Sequence, residues 1–579
     1  MFIVDYILSR GRNSLITNLL HTRKFPTSHL TNLPTELLLI ICHQLDTITL
    51  SHLSKTCRCL NSIGGSIFLK RVGLVDVETL CVLRTGHQRY KAQIAGLSTS
   101  FALTRVNRVV FIMDNYRGPP WKYLKYLTTN IHHIRHFITR LTFIGSFSIV
   151  FSSSENKLYG SASPAAQKLL SAFFDLLDLV ISKSSSLQII YSERLFLWSP
   201  YQAKPSRFPK LKELLQGNFH SSATGGRAKE LVTLAPGYRH PISIQTQLAE
   251  IDLPVDILLQ PPYSAWTLSV LQNSQIATLT ISRSVNRDIF YKPLFPVIFK
   301  SIGATLREMK LAIHYQASLA TLVENLHLLR SLETLVLGFN SCSSAPAPPE
   351  KPTYLHLDNL ISFTGSAEQA AYLFGHAMSC INLARTNLII DLYYESPNLH
   401  PRIAGCFTML NSAFSRLDVN PKVTVCISTQ GQRRGNNFPP TPHRSFAATF
   451  SRVSSLTLDV PLADPDNMQP GGLLKVLDWL VMFHAVSALT VIIRPLKLKK
   501  KSELVRLQNG RKDRDSRLIF DITSEHPNIV CNIIDLPPNR YHFHWSNARD
   551  EFSRGMGSGL PPITSHRQKL VASCVCDHF

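Results

Sequence analysis

Closely spaced histidines and cysteines are the residues of this 579-residue sequence that could bind a metal ion. In the cluster His132-His133-x-x-His136, the first and last histidines are about one helical turn apart, so a helix would place both rings on one face. No third ligand lies near them in the sequence. The opposite side of that helix would carry an apolar stripe from Ile131 to Ile138. We therefore interpret the histidines as part of a solvated helix face.

The cysteines do not form a zinc-binding pattern. Cys57-x-Cys59 and Cys574-x-Cys576 are more closely spaced than the Cys-x2-Cys pairs of structural zinc sites, and no second pair of that type occurs. Eleven cysteines in a chain of this length indicate free thiols in a reducing compartment rather than a disulfide scaffold. The sequence predicts no bound metal and no cofactor.

No catalytic motif is recognisable. The stretch Gly555–Gly559 lacks the preceding strand and following helix that a phosphate-binding loop needs, and the chain contains no Gly-x-Ser-x-Gly, Walker A or His-Glu-x-x-His sequence. Eleven scattered thiols leave a cysteine-based ligase or protease open, but their neighbours single out none of them. The sequence predicts a protein that is not itself an enzyme, with no catalytic residues.

Composition indicates a globular protein with an excess of positive charge. Apolar residues make up 44% of the chain and charged residues 17%, and the formal net charge is +23. The dense basic run lies between Arg494 and Arg517. It could be a nuclear-import signal or a patch for nucleic acid, or it could be a solvated linker. We favour the linker, since the other basic residues are scattered, and we expect no nucleic-acid partner.

Two segments bear on where in the cell the protein is expected. The opening residues contain an early acid and no basic region, which is untypical of a signal peptide. The most apolar segment, Leu473–Ile493, is interrupted by Lys475, Asp478 and His484, so it does not predict a membrane span. We expect a soluble intracellular protein in the cytoplasm, the nucleus or both, with no membrane partner.

The stretch Leu33–Ile63 predicts two short helices that do not close a core of their own. Pro34 suits a first helical position, and apolar residues surround most of the helix that follows it. Asp46 and Thr47 interrupt the apolar run, and a second amphipathic helix is expected to end at Gly64-Gly65. Roughly 40 residues of this kind bury too little surface to fold alone, so their apolar face requires a partner.

The order Leu-Pro-x-Glu-Leu-Leu, Leu-Asp, Leu-x-x-Leu-Ser and Cys-Arg-x-Leu-Asn in this stretch resembles the F-box motif. The F-box is a three-helix module that binds the Skp-type adaptor of cullin-RING ubiquitin ligases, and Phe68–Arg71 is the candidate third helix here. The alternative is a generic helical hairpin of another N-terminal domain. The resemblance implies that the adaptor contacts are Leu33, Pro34, Leu37, Ile41, Leu45, Leu50, Leu53 and Cys57.

Beyond this stretch, helix-then-strand units recur. Leu124–Phe137 predicts a helix between the strands Val109–Ile112 and Ile138–Phe143. Further amphipathic helices are predicted around 297–302, 319–329 and 473–481. An apolar-x-x-apolar-x-apolar frame predicts strands at Ile276–Ile281, Leu306–Leu311, Leu332–Leu337, Val453–Leu458 and Val486–Val491. Several of these strands begin about 26 to 33 residues apart, near the period of leucine-rich repeats.

The segment Leu332–Asn340 matches the full Leu-x-x-Leu-x-Leu-x-x-Asn pattern of such repeats. We therefore predict an α/β fold: a small N-terminal three-helix F-box followed by an irregular leucine-rich-repeat-like solenoid of helix–strand units. A non-repeating α/β domain is the alternative. The predicted domains are an N-terminal lead-in at 1–29, the F-box at 30–75, the repeat-like domain at 76–500, and a basic linker with a partly ordered tail at 501–579.

The resemblance implies a substrate-recognition subunit of an SCF-type (Skp–cullin–F-box) ubiquitin ligase. The F-box would bind the adaptor and, through it, the cullin, and the large domain, which resembles that of many fungal F-box proteins, would hold a protein target for ubiquitin-dependent degradation. Two alternatives stay open: a basic nucleic-acid- or chromatin-associated protein, and an F-box protein that binds the adaptor outside a ligase.

Overall fold

The protein is described as a computed structural model that divides into two compact units, residues 1–307 and 308–579. The first unit begins with three short helices, α1 (Thr35–Gln44), α2 (Thr47–Leu53) and α3 (Arg58–Arg71). The residues that the structure describes are 33–114, 120–151, 164–191, 246–253, 264–281, 291–312, 316–338, 355–391, 399–428, 450–462, 480, 483–495 and 529–535.

Strands and helices alternate in the rest of the first unit. The described elements are β1 (Leu80–Arg84), α4 (Tyr90–Thr99), β2 (Arg105–Met113), α5 (Pro120–Arg140), β3 (Phe143–Phe151), α6 (Pro164–Ile181), β4 (Ser184–Tyr191), β5 (Glu250–Leu253), α7 (Ser264–Asn273), β6 (Thr278–Ile281) and α8 (Tyr291–Ile302). All neighbouring strands from β1 to β6 are parallel and follow one another in chain order. Parallel neighbours require crossover connections, and the described helices lie in those from β1 to β4 and from β5 to β6.

One face of this sheet is fully buried and the other is not. In β2, for example, Val109 and Phe111 are inaccessible to solvent, whereas Val110 and Ile112 between them are half-buried. Successive side chains of a strand point to opposite faces, so the alternation shows that packing covers one face of the sheet more completely than the other.

The second unit repeats the same arrangement. Its described elements are β7 (Glu308–Ala312), α9 (Gln316–Asn325), β8 (Thr334–Gly338), β9 (Leu355–His356), β10 (Ser362–Ser366), α10 (Ala367–His376), β11 (Ala377–Ser379), β12 (Arg385–Asp391), α11 (Leu399–Arg416), β13 (Lys422–Ser428), β14 (Val453–Leu462), β15 (Ala488–Pro495) and β16 (Val530–Asp535). Its main sheet is parallel in the order β7-β8-β10-β12-β13-β14-β15-β16, and β9 pairs separately with β11.

Basic side chains cap the carboxyl ends of several helices. Arg140 donates to the carbonyls that end α4, Lys183 to those that end α5, and Arg416 to those that end α10. In each case the basic residue lies at the end of the helix that follows the capped helix in the chain, or in the turn after that following helix. The last carbonyls of a helix lack partners within the helix and carry partial negative charge, so a cation there is stabilising. Part of the net positive charge therefore has a structural role.

We expect Lys183→Met to lower the free energy of unfolding by about 1–3 kcal/mol. The Lys183 ammonium lies 3.0, 2.7 and 2.5 Å from the carbonyl oxygens of Ile138, Thr139 and Leu141, and its burial lowers its pKa. Methionine fills the same space and leaves those carbonyls unpaired. Urea denaturation measures the change. Lys168→Met, which removes an exposed lysine of α6, is the control. An equal loss in both variants would contradict the capping role.

Several predicted elements differ at their ends from those observed. The predicted strand at Ile138–Phe143 is wrong in its first half: α5 continues to Arg140, and the strand β3 begins only at Phe143. The helix continues because Ile134 and Ile138 extend its buried stripe. Residues 76–105, for which no motif was predicted, contain β1 and α4. The leucine-rich-repeat asparagine Asn340 lies outside the described residues, and so does the predicted helix around 473–481 except for Leu480.

The described parts of the chain confirm the coarse fold class, a three-helix N-terminal module followed by α/β structure with parallel sheets. The predicted strand at Val109–Ile112 lies within β2. The strands predicted from the apolar frame coincide with β6, β7, β8, β14 and β15 within a few residues at their ends. The predicted domain boundaries stay predictions.

Candidate functional site

Helix α1 follows directly on Pro34 and buries only a narrow stripe. Leu38 and Cys42, one turn apart, are 2% and 0% exposed and form its inner side. At about 100° per residue, Leu37, Ile40 and Ile41 lie beside one another on the outer flank. The helix therefore has apolar residues on both its inner and its outer side, as the sequence predicts.

Helix α2 begins at Asp46, whose carboxylate is its N-cap. One carboxylate oxygen accepts hydrogen bonds from the backbone N–H groups of Ile48 and Thr49, both at 2.9 Å, and the other accepts the Thr49 hydroxyl at 2.7 Å. The hydrogen bonds from Thr49 hold the pKa of the Asp46 carboxyl below its ordinary value of 3.8, and the hydrogen bond from Ile48 has a smaller effect in the same direction. Asp46 thus ends the first apolar run and starts the second helix.

We expect Asp46→Ala to lower the free energy of unfolding by about 1 kcal/mol near neutral pH, the usual cost of losing an N-cap. The lowered pKa means that the carboxylate stabilises the folded state above about pH 4 and that this stabilisation is lost as the pH falls through the folded-state pKa. Urea titrations across that range should show the difference between wild type and variant shrinking in acid. Asp46→Asn keeps a good cap without the charge, so the stability difference between Asp46→Asn and Asp46→Ala should not change with pH; a difference that shrinks in acid would contradict the assignment.

Helix α3 passes straight through Gly64-Gly65, so the predicted helix end at these glycines is wrong. The predicted second helix is instead divided, because α2 stops at Leu53 and α3 starts at Arg58. At Gly64 a β-carbon would already lie 3.4 Å from Leu50 and 3.8 Å from the Cys42 sulfur. The glycine therefore marks the point where the three helices come together, and the candidate third helix Phe68–Arg71 is the end of α3.

Arg71, the last residue of α3, caps the end of α1. Its guanidinium donates to the carbonyl of Leu45, to that of Cys42 at 3.3 Å and to that of His43 at 2.6 Å. A fork of donors on one cation suits a set of unpaired helix-end carbonyls. This contact fixes the direction in which α1 leaves the module, and with it the direction that its outer flank faces.

Asn61 joins the three-helix module to the first strand–helix units. Its amide nitrogen donates to the carbonyls of Ser54 and Thr99, each at 2.6 Å, and its amide oxygen accepts the backbone N–H of Phe101 at 2.6 Å. The side chain is 1% exposed. One buried amide thus connects the ends of α2 and α4 to α3.

Close backbone packing supports the same junction. A β-carbon on Gly96 would lie 2.5 Å from the ring of Phe68, so only glycine lets α4 approach α3 this closely. Gln93 of α4 also donates to the carbonyl of Val72 at 3.0 Å. The three-helix module is therefore held by buried contacts to the elements that follow it.

The outer flank of α1 leaves apolar surface exposed. Leu37 and Ile40 are 46% and 53% exposed, and Ile41 beside them is half-buried; we call these three residues the α1 stripe. Ile48 at the start of α2 is 72% exposed. Because the inner faces of all three helices are already packed, this surface is available to a partner.

The residues predicted to contact the adaptor differ in how much of their surface is exposed. Leu50 is fully buried against Gly64, so it supports the module from inside and offers no surface to a partner. Cys57 is half-buried and its sulfur accepts a hydrogen bond from the backbone of Leu60 as the N-cap of α3. The remaining predicted contacts lie at least partly at the surface: Leu33, Pro34, Leu37, Ile41, Leu45 and Leu53.

Sequence reasoning missed two of the most exposed apolar side chains, Ile40 and Ile48. Ile40 follows Leu37 by three residues, a spacing that places both on one helix face. Ile48 is in the first turn after the Asp46 cap. If Leu38 and Cys42 are taken as the inner side of α1, helical spacing places Ile40 on the outer side. The motif alone does not identify it as a contact.

The histidines of α5 are exposed. His132, His133 and His136 all lie on the solvent side of the helix, and the pKa of His133 is lowered by burial and by nearby His132 and Lys91. No group of three metal-ligating side chains occurs among the residues that the structure describes. No helix in those parts of the chain is long and apolar enough to cross a bilayer. Three of the stretches discussed from the sequence lie outside the described residues. They are Gly555–Gly559, Cys574–Cys576 and the basic run from Lys497 to Arg517.

Comparison with known families gives one match, the F-box domain at residues 30–71. The match ends at Arg71, where α3 ends, so it covers the whole three-helix module. The comparison with curated proteins gave no significant match. The matched residues form a packed module with an exposed apolar stripe, and the chain carries an F-box domain at residues 30–71.

Proposed function

We propose that this protein is a substrate-recognition subunit of an SCF-type ubiquitin ligase, which binds a Skp-type adaptor through the F-box and a protein target through the α/β units. An F-box domain in general indicates binding to such an adaptor, and F-box proteins are generally non-catalytic subunits of these complexes. The α1 stripe is the observation that carries the proposal for this chain: apolar side chains stay exposed on a module whose interior is already packed.

The energetics of the stripe favour a partner. Burying an aliphatic side chain that is fully exposed gains about 1.5–3 kcal/mol, so completing the burial of Leu37 and Ile40 gains roughly half of that for each. Ile48 adds more from α2. A few such anchors suffice for a stable interface when they lie close together on a rigid surface, as Arg71 and Asn61 ensure here.

For the target-binding part, we infer that each unit is a leucine-rich-repeat-like solenoid. Parallel strands that neighbour one another in chain order, several of them separated by a described helix, support this inference. A recurring hydrogen bond supports it as well. In several repeats a polar side chain just before a strand donates to a backbone carbonyl of the preceding repeat. Examples are the Thr142 hydroxyl to the Thr104 carbonyl at 3.0 Å, Thr305 to Ile276 at 2.9 Å and Asn382 to Asp358 at 2.6 Å.

The mechanism that we propose is proximity. A ubiquitin-loaded enzyme recruited elsewhere in the complex meets target lysines at a high effective concentration, because one chain holds both the adaptor and the target. The buried junction at Asn61 and Gly96 favours a fixed orientation between the F-box and the strands that follow it. A fixed orientation restricts which target lysines come within reach.

Co-purification from cell extract tests the proposal. The full chain, tagged at its carboxyl end, should recover both the Skp-type adaptor and the cullin, together with ubiquitinated proteins after proteasome inhibition. Recovery of the adaptor without cullin would replace the ligase function with an F-box function outside a ligase. Recovery of neither protein by a folded chain would refute the proposal.

A further inference from the structure

The less buried face of the β1–β6 sheet carries a cluster of aliphatic side chains, where a solvated sheet face would be polar. Val82, Val110, Ile112, Val150 and Ile190 are all half-buried. Strand register places them together: Val82 pairs with Val110, and Ile112, Val150 and Ile190 occupy one row across β2, β3 and β4. We call these five residues the aliphatic patch.

A polar row of the same face leads from the patch to acidic residues. The Ser148 hydroxyl donates to the Gln188 amide oxygen at 3.1 Å, and the Gln188 amide nitrogen donates to the Asp252 carboxylate at 2.9 Å. Register continues this row from Val110 through Ser148 and Gln188 to Asp252. Glu250, two residues before Asp252 and on the same face, is exposed. The face is therefore acidic over β5, whereas β2–β4 carry the aliphatic patch beside the polar Ser148 and Gln188 and the exposed Arg108.

Spacing defines what such a face can hold. Strands lie about 4.8 Å apart, so β2 and β5 are separated by about 14 Å. An extended peptide rises about 3.4 Å per residue, and residues of the same parity point to the same side. A peptide that crosses the strands obliquely, from Ile112 towards Asp252, would therefore place aliphatic side chains at two alternate positions over the patch and a third same-side residue, four positions after the first, near the carboxylates of β5.

We propose that this face binds an extended target segment with two aliphatic residues at alternate positions followed, two residues later, by lysine or arginine. The aliphatic residues would complete the burial of the patch, and the cation would pair with the carboxylates of β5. This inference rests on the proposed function, since it names the class of target that the ligase subunit would select. Charge complementarity at β5 selects a basic segment over an acidic one.

Fluorescence anisotropy with three labelled peptides tests the proposal on the full chain purified with the adaptor. The first probe is Ser-Ile-Ser-Ile-Ser-Lys-Ser; the second has Glu in place of Lys, and the third has Ser in place of both Ile residues. We expect the first peptide to bind at least about tenfold more tightly than the other two. Equal affinities, or no binding by folded protein, would overturn the proposal.

Variants of the protein locate the binding. Val150→Glu and Glu250→Lys should each weaken binding of the lysine peptide about tenfold or more, and Glu250→Lys should improve binding of the glutamate peptide. Val75→Glu changes an exposed residue in the turn between α3 and β1, and Asp175→Lys changes an exposed residue of helix α6; neither residue belongs to the sheet, and both changes should have no effect. Equal effects in both sets would place the binding elsewhere and overturn the proposal.

The same sample separates the two hypotheses. If the adaptor co-purifies and the peptides behave alike, the ligase function stands and the target class is wrong. If the adaptor does not co-purify, the ligase function fails, while selective binding of the lysine peptide would still show that the face binds such segments.

Discussion

Replacing Leu37 and Ile40 with aspartate is expected to abolish recovery of the Skp-type adaptor. Both side chains are about half exposed on the outer flank of α1, so the substitution leaves the interior of the F-box intact. A carboxylate that must be buried in the interface without a partner is strongly unfavourable. We expect the dissociation constant to rise at least about 100-fold, equivalent to about 2.7 kcal/mol. Surface plasmon resonance with purified adaptor measures the change.

The control for this prediction is His43→Asp, which introduces one carboxylate on the polar side of α1. The control should bind the adaptor as wild type does, and urea denaturation should show that all the proteins remain cooperatively folded. If the double variant still bound adaptor normally, the interface would lie on another surface of the module. In that case the flank with Leu39, which is 38% exposed, would be the next surface to test.

Asn61→Leu is expected to cause the largest loss of stability, about 3 kcal/mol or more. Leucine is close to asparagine in size but cannot bond to the carbonyls of Ser54 and Thr99 or to the N–H of Phe101. Three backbone groups, one buried and two part-buried, would lose their partner at once, and an unpaired buried group costs about 1–3 kcal/mol. Urea denaturation followed by circular dichroism measures the change in the free energy of unfolding.

Ser62→Ala is the control for Asn61→Leu, since Ser62 is the exposed neighbour of Asn61 and its hydroxyl bonds only one turn back, to the carbonyl of Cys59. The control should change stability by no more than about 0.5 kcal/mol. An Asn61 variant as stable as this control would show that the junction between the F-box and the first strand–helix units does not depend on the buried amide.

Local signals in the sequence predicted much of the F-box. Pro34 marked the start of α1, Asp46 the break between α1 and α2, and the apolar spacing between them predicted a helix. The same kind of signal located β2 and β6. These features depend on residues close together in the chain, where backbone geometry and capping preferences act directly.

Predictions failed where contacts between distant residues overrode local preference. Gly64-Gly65 favours a helix end locally, but in the fold Gly64 lies inside α3, where Leu50 and Cys42 approach its backbone. Leu50 fits the apolar motif as well as Leu37 does, yet it is buried while Leu37 is exposed. A motif shows which positions are apolar, but it does not distinguish residues that pack inward from those left for a partner.

The sequence by itself determined the class of module, the alternation of helices and strands, and the apolar excess of the first helix. Tertiary structure alone decided which side of α1 stays exposed, because Arg71 reaches back to the end of α1 from 26 to 29 residues further along the chain. It also brought Ile112, Val150 and Ile190 into one row, through strand pairing across crossover connections. Such contacts arise from packing between distant segments, which neither periodicity nor capping residues encode.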